Sequence, residues 1–294
     1  MAMMPSAEVH VDESLVRALL SEQHPDLAGG ELRLVANGWD NALYRLAGEF
    51  VVRLPRRAAA AHLVDHEARW LPLLHSLVPI PIPVPLRVGV PTAFFPWSWT
   101  VARWIDGTSA LGLTPSERAP LAGPLADALT ALHVPAPSDA PHNPVRAVAL
   151  ARRADTVTAR LASLPPASRA PLERVWLEAL RAEPWSGSPV WVHGDPHPGN
   201  VLVKDGRLAA LIDFGDISAG DPATDLAAAW MFFESDARAE FRSTADERRA
   251  LSADDWRRAR GWALVIGSAL AWSSDDHPGL SALGAHTLAQ VLID

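Results

Sequence analysis

The sequence predicts an α+β protein of two unequal lobes, a small antiparallel sheet carrying one helix and then a mainly helical lobe. Three observations carry this. Short runs rich in β-branched and aromatic residues crowd positions 32–54 and 86–103. Beyond about residue 103 the apolar residues recur at spacings of three and four. One strand-loop-hairpin unit, residues 190–213, interrupts those helical patterns. The boundary therefore falls near residue 103, giving lobes of 1–102 and 103–294. A chain of 294 residues is long enough to build two cores.

Residues 11–22 set Leu15, Val16, Leu19 and Leu20 on one helical face, with Asp12 as a cap candidate. Segments 32–36 and 42–46 predict strands around the polar loop Asn37-Gly38-Trp39-Asp40-Asn41, and 50–54 predicts a third strand. A helix from about 59 to 77 follows. Residues 78–88, VPIPIPVPLRV, must be extended, because proline breaks both helix and central sheet. Strands at 86–89 and 97–103 lead into a turn, Trp104-Ile105-Asp106-Gly107.

In the second lobe, 115–133 holds Leu121, Leu125, Leu129 and Leu132 at helical spacing. Two more helices are expected at 145–164 and 171–181, split by Pro165-Pro166. Residues 190–192 form a short apolar strand, after which Pro196, Pro198 and Gly199 force an irregular loop. Segments 201–203 and 208–212 pair as a hairpin through the turn Asp205-Gly206. Helices at 222–234, 256–272 and 280–292 complete the lobe. Twelve Trp are many; at helical spacing they read as core, and those near the C-terminus are also candidates for an apolar wall.

The chemistry concentrates in VWVHGDPHPGNVLVKDGRLAALIDFGD, residues 190–216. Asp195 precedes Asn200 by five positions, and the hairpin's return brings Asp213 of a DFG tripeptide back beside them. Three oxygen ligands then converge from one local unit. This is the arrangement used for phosphoryl transfer: one carboxylate orients the attacking hydroxyl, while an amide oxygen and a second carboxylate hold Mg²⁺ on nucleotide phosphates.

HGDPHPGN followed by LIDFGDISAGDPATDLA resembles the aminoglycoside phosphotransferase family, whose fold is similar to that of protein kinases, from about Asn37 to about Trp230. The resemblance implies Asp195 as the catalytic residue and Asn200 and Asp213 as Mg²⁺ ligands. It implies ATP or GTP as donor, lying in a cleft between the lobes. Gly38, Trp39 and Asn41 would cover its phosphates, and backbone groups of Arg103, Trp104 and Ile105 would meet its base. The third strand, FVVRLPRR, departs from the kinase pattern: Arg53 stands where a Lys is usual, with Glu67 on the next helix as its ion-pair partner. Arginine grips phosphate as a fork, so the change is not chemically neutral. The VxRLPRR pattern also resembles that of macrolide kinases. His193 reads as a loop brace, Asp225 as a helix cap, and Asp216 and Asp221 as turn residues.

The implied reaction is transfer of the γ-phosphoryl group to a hydroxyl of a small molecule, an aminoglycoside-type or other antibiotic. A small metabolite (an amino alcohol, a sugar, homoserine) is the alternative. Glu234, Asp236, Asp254, Asp255, Asp275 and Asp276 are the carboxylates available to a polycationic acceptor. Two other classes stay open: a nucleotide-binding pseudoenzyme, because of Arg53, and a metallohydrolase, because His193, Asp195 and His197 form an H-x-D-x-H cluster.

Bulk properties narrow the partners. A net charge of −8 argues against nucleic acid. No apolar run reaches the roughly 18 residues of a membrane span. The N-terminal stretch MAMMPSAEVHVDESL has neither a basic start nor an apolar core, so no export and a cytoplasmic location are expected. Cysteine is absent, which removes disulfides and thiol chemistry. Lys204 is the sole lysine among 26 basic residues.

Overall fold

The computed structural model describes residues 6–274 and 276–293. The N-terminal residues 1–5 and the acceptor-binding candidate Asp275 lie outside them. The described residues divide into two compact units, residues 6–76 with 81–106, and residues 77–80 with 107–274 and 276–293.

The smaller unit opens with helix α1 (Glu13–Gln23), whose N-cap Asp12 accepts the Leu15 N–H at 2.8 Å. Strands β1 (Leu32–Asn37), β2 (Asn41–Leu46) and β3 (Phe50–Pro55) form a meander. Helix α2 (Ala58–Leu74), β4 (Pro85–Gly89) and β5 (Trp99–Arg103) follow. The sheet runs β1-β2-β3-β5-β4, and every pairing in it is antiparallel. Val16, Leu19 and Leu20 of α1 pack with Leu46, Val52, Leu54, Trp99 and Val101, all buried. Burying each such side chain stabilises by about 1.5–3 kcal/mol, enough to hold a short helix that lacks a basic last turn. Alternation along β2 and β3 leaves the opposite residues, Arg53 among them, to the other face.

The larger unit begins with the two-residue strand β6 (Thr108–Ser109), then α3 (Pro115–Arg118) and α4 (Ala122–Leu132). The single helix expected over 115–133 is thus broken by a 3₁₀ turn, Ala119–Leu121, that contains Pro120. Helices α5 (Ala154–Ala162) and α6 (Pro166–Leu180) come next. The helix expected from 145 does not start there. Asn143 Oδ1 accepts the N–H groups of Val145 and Arg146, Ala147 has φ 54°, and the chain turns helical only at the 3₁₀ segment Leu150–Arg153. Pro166 fits the first turn of α6, so that helix begins five residues before the expected 171.

Strand β7 (Val190–Val192) leads to the hairpin β8 (Val201–Lys204) and β9 (Arg207–Leu211), turning through Asp205 and Gly206, both at positive φ. Strand β10 (Ser218–Gly220) pairs with β7, and β6 pairs with β8; the sequence reading missed both short strands. Then come α7 (Ala223–Leu226), α8 (Ala228–Phe232), α9 (Ser235–Arg248), α10 (Ala253–Ser273) and α11 (Pro278–Gln290). Sequence periodicity missed α9 altogether. Only Arg238, Phe241 and Ala245 are buried in its 14 residues, too few to register as an apolar stripe. Trp230 and Trp262 are wholly buried and Trp256 nearly so, which is core packing. Among the described residues no helix is long and apolar enough to cross a membrane.

Candidate phosphoryl-transfer site

Strand β7 ends at Val192, and the next three residues are fixed from outside the loop. Asp225, fully buried in the first turn of α7, accepts the N–H of His193 at 2.8 Å and that of Gly194 at 2.9 Å. It also bonds His133 Nε2 at 3.2 Å. Asp225 is thus structural, though not the helix cap that the sequence suggested: it anchors the loop's entry. His193 Nδ1 accepts the Asp195 N–H at 3.3 Å, which leaves Nε2 to donate to the Ile212 carbonyl at 3.1 Å. His193 is therefore the expected brace, tying the loop to the end of the hairpin, and both its nitrogens are occupied.

Gly194 has φ +88°, and a Cβ there would meet the Asp216 carbonyl oxygen at 2.3 Å. Only glycine allows the turn that aims Asp195. Asn200 Nδ2 donates to the Asp195 carbonyl at 3.0 Å, so the amide oxygen Oδ1 points away from it. The Asn200 carbonyl accepts Ile212 N–H at 2.9 Å, which seats the end of the hairpin beside the loop. Asp213 follows at φ 60°, a strained value for a residue with a side chain. The hairpin thus brings together the three residues that the spacing singled out.

The surroundings hold a residue the sequence reading missed. Arg146 Nη2 lies 3.2 Å from Asp195 Oδ1, and its Nε lies 3.8 Å from Asp216 Oδ2. Asn143 Nδ2 donates to Asp216 Oδ1 at 2.8 Å. Burial pushes the Asp216 carboxyl up; the Arg146 charge and the Asn143 bond oppose this, the nearby Asp195 and Asp213 charges add to it, and the balance is upward. For Arg146, burial pulls its pKa down, but the charges of Asp195 and Asp216 outweigh it and hold the guanidinium above its ordinary value. No local pattern signals Arg146, which lies 49 positions from Asp195. Asp221 has a structural role as expected: Arg258 Nε donates to it at 2.8 Å.

Asn200 and Asp213 offer an amide oxygen and a carboxylate. That hard donor set fits Mg²⁺, which takes few protein ligands and completes its shell with phosphate and water. Among the described residues no group of three or more His, Cys, Asp or Glu could hold a metal by itself.

In the smaller unit Arg53 Nη1 donates to Glu67 Oε1 at 2.8 Å, and Glu67 is 3% exposed. With its carbonyl turned to Arg53, Asn41 accepts from Nε at 3.1 Å and Nη2 at 3.0 Å. Asn41 is therefore a buried partner of Arg53, at the start of β2, and not part of an open loop. The turn itself is short. Gly38 N–H donates to the Asn41 carbonyl at 2.9 Å, Arg56 Nη1 reaches the Gly38 carbonyl at 2.5 Å, and Arg57 pairs with Asp40 at 2.5 Å. Trp39 at its tip is 40% exposed. The two arginines of the LPRR segment, unassigned from sequence, brace this turn.

At 103–105 one expected contact is not available. Trp104 N–H donates to the Glu49 carbonyl at 2.7 Å, so it cannot meet a base. Across a trans peptide this turns the Arg103 carbonyl the other way, and the Ile105 N–H has no backbone acceptor among the described residues. The Trp104 ring carries the Arg45 guanidinium at 4.4 Å from its centre.

Of the acidic residues considered for a cationic acceptor, Asp255 is tied to Arg258 at 2.5 Å and caps α10 through Ser252, while Asp254 pairs with Arg257 at 2.6 Å. Glu234, Asp236 and Asp276 are exposed.

Two carboxylates and an amide on a braced loop and hairpin, in a chain that also has an Arg-Glu pair over a five-stranded sheet, are the parts that kinase-like phosphotransferases use. A model of the phosphotransferase enzyme family matches residues 31–262, and the chain belongs to that family. Aminoglycoside 3'-phosphotransferase of Escherichia coli is 37% identical over 60 residues, 20% of this chain and 22% of that protein. The match thus spans about a fifth of the curated relative's length. Among solved structures, that of the GDP and kanamycin complex of APH(2")-IIia superposes with a TM-score of 0.72 at 17% identity, covering 95% of this chain and 98% of that one. The macrolide 2'-phosphotransferase MphH of Brachybacterium faecium gives 0.60 at 18% identity over 93% and 96%. Identities this low show the fold: α+β, with a small antiparallel-sheet lobe and a mainly helical lobe.

Proposed function

We propose that this protein transfers the γ-phosphoryl group of ATP or GTP to a hydroxyl of a small molecule. The observation that carries the proposal is the convergence of Asp195, Asn200 and Asp213 through one loop and hairpin. In this reading Asp195 accepts a hydrogen bond from the acceptor hydroxyl, orients its oxygen towards the phosphorus, and takes the proton as the new oxygen–phosphorus bond forms and the bond from the γ-phosphorus to the bridging oxygen breaks, releasing ADP or GDP. Asn200 Oδ1 and the Asp213 carboxylate would hold Mg²⁺, which would supply positive charge to neutralise the phosphate oxygens. Arg53, kept straight by Glu67 and Asn41, adds a second cation for the phosphates. The Arg103 carbonyl and the Ile105 N–H are the acceptor and donor offered to the base. Positioning and fixed charge supply most of the acceleration, because a loose transition state asks for little covalent help.

The acceptor proposed first is an antibiotic, since the relatives named above are aminoglycoside and macrolide phosphotransferases; a small metabolite is the alternative. A metallohydrolase is disfavoured by His193, whose two nitrogens are already bonded. The test is Asp195→Ala assayed with ATP and GTP against aminoglycosides, macrolides and small hydroxy metabolites. Transfer by wild type should be lost, while nucleotide affinity, measured by calorimetry, survives. Near-normal transfer by the variant would remove Asp195 from its role, and no turnover of any nucleotide by wild type would favour a pseudoenzyme.

A further inference from the structure

We infer that Arg146 is a positioning residue for phosphoryl transfer, holding the Asp195 carboxylate in the orientation that receives the acceptor hydroxyl. The inference rests on the function proposed above. A carboxylate on an irregular loop can rotate about its own side-chain bonds, and each misplacement of a reacting group by about 1 Å can cost on the order of 100-fold in rate. Arg146 removes that freedom by holding Oδ1 at 3.2 Å, which leaves Oδ2, 3.5 Å from His197 Nε2, as the oxygen for the substrate.

The chain around Arg146 is built to keep it there. Asn143 caps the Arg146 N–H at 3.1 Å and reaches Asp216 with its other end at 2.8 Å. Ala147 adopts φ 54°, its N–H donates to Thr224 Oγ1 at 3.0 Å, and its carbonyl accepts Asp221 N–H at 3.0 Å. Gly220 lies so close to that carbonyl that a Cβ would sit 2.0 Å from it. A left-handed alanine is costly, on the order of 1 kcal/mol, and persists only where its surroundings dictate it. The segment therefore accepts strain to place one side chain, and that side chain is 18% exposed between two carboxylates. A guanidinium suits the task, because its rigid fork spans both carboxylates while an ammonium is a single point.

The experiment uses water as the acceptor, following release of ADP or GDP from ATP or GTP by the full chain. Arg146→Met should lower kcat on the order of 100-fold with nucleotide KM within about threefold of wild type, because Arg146 is not assigned to the nucleotide. Arg146→Lys should lose less, and added guanidine should restore part of the Arg146→Met loss. Asp216→Asn, which loosens Arg146 without removing it, should cost less than Arg146→Met and serves if that variant does not fold. A kcat within threefold of wild type for both Arg146→Met and Asp216→Asn overturns the inference, as does a loss that guanidine leaves untouched. Asp195→Ala run alongside separates the two levels. If it hydrolyses nucleotide like wild type, the proposed function fails; if it alone is inactive, only the role of Arg146 fails.

Discussion

Asp225 bears more structural responsibility than any other carboxylate near the loop, since three donors end on it while it is wholly buried. Asp225→Ala would leave two backbone N–H groups and an imidazole without their acceptor. We expect a loss of at least about 3 kcal/mol, read as a fall of about 6–12 °C in Tm; a shift under 2 °C would show that the loop finds other partners. Legibility at this scale follows distance along the chain. Asp195, Asn200 and Asp213 are close in sequence, and a hairpin is a short-range device, so their spacing already carried their geometry. Arg53 and Glu67 are 14 apart, and strand-then-helix order was enough to pair them. Arg146, Asn143, Arg56 and Arg57 act through folded contacts that no local pattern announces.

The loop between β7 and β8 depends on Gly194, where positive φ coincides with a carbonyl that leaves no room for a side chain. Gly194→Ala should move Asp195 and reduce turnover by at least tenfold, with helix content by circular dichroism unchanged; full activity would mean that the loop tolerates the shift. Elements with a strong period were legible: α1, α4, α10, the meander β1 to β3 and the hairpin of β8 and β9. Those missed were weakly patterned. Helix α9 exposes most of its residues, β6 and β10 are two and three residues long, and the delayed start of α5 is a side-chain contest between Asn143 and the helix. That the Trp104 N–H is taken by Glu49 was not legible, because this bond depends on where β3 begins relative to the end of β5.

For the whole molecule, the fold class followed from composition along the chain, strands first and helices afterwards, and the family's fold agrees with it. One half-buried base contributes to the pH dependence of stability. Burial, then the charges of Arg118 and Arg238, lowers the His286 pKa from 6.5 to about 4. Folded chains keep His286 neutral while unfolded chains protonate it, so its contribution is complete above pH 6.5 and drains away as pH falls towards 4. The ceiling is roughly 3 kcal/mol. Tm measured from pH 7 to pH 4 should fall less steeply for His286→Gln than for wild type, and parallel curves would exclude His286. The single lysine adds an experimental handle. Lys204 is exposed at the end of β8, between Asn200 and Asp213 in the chain. A lysine-specific protease therefore has one cut to make, inside the hairpin that assembles the site, and resistance to that cut would report hairpin closure without any engineered label.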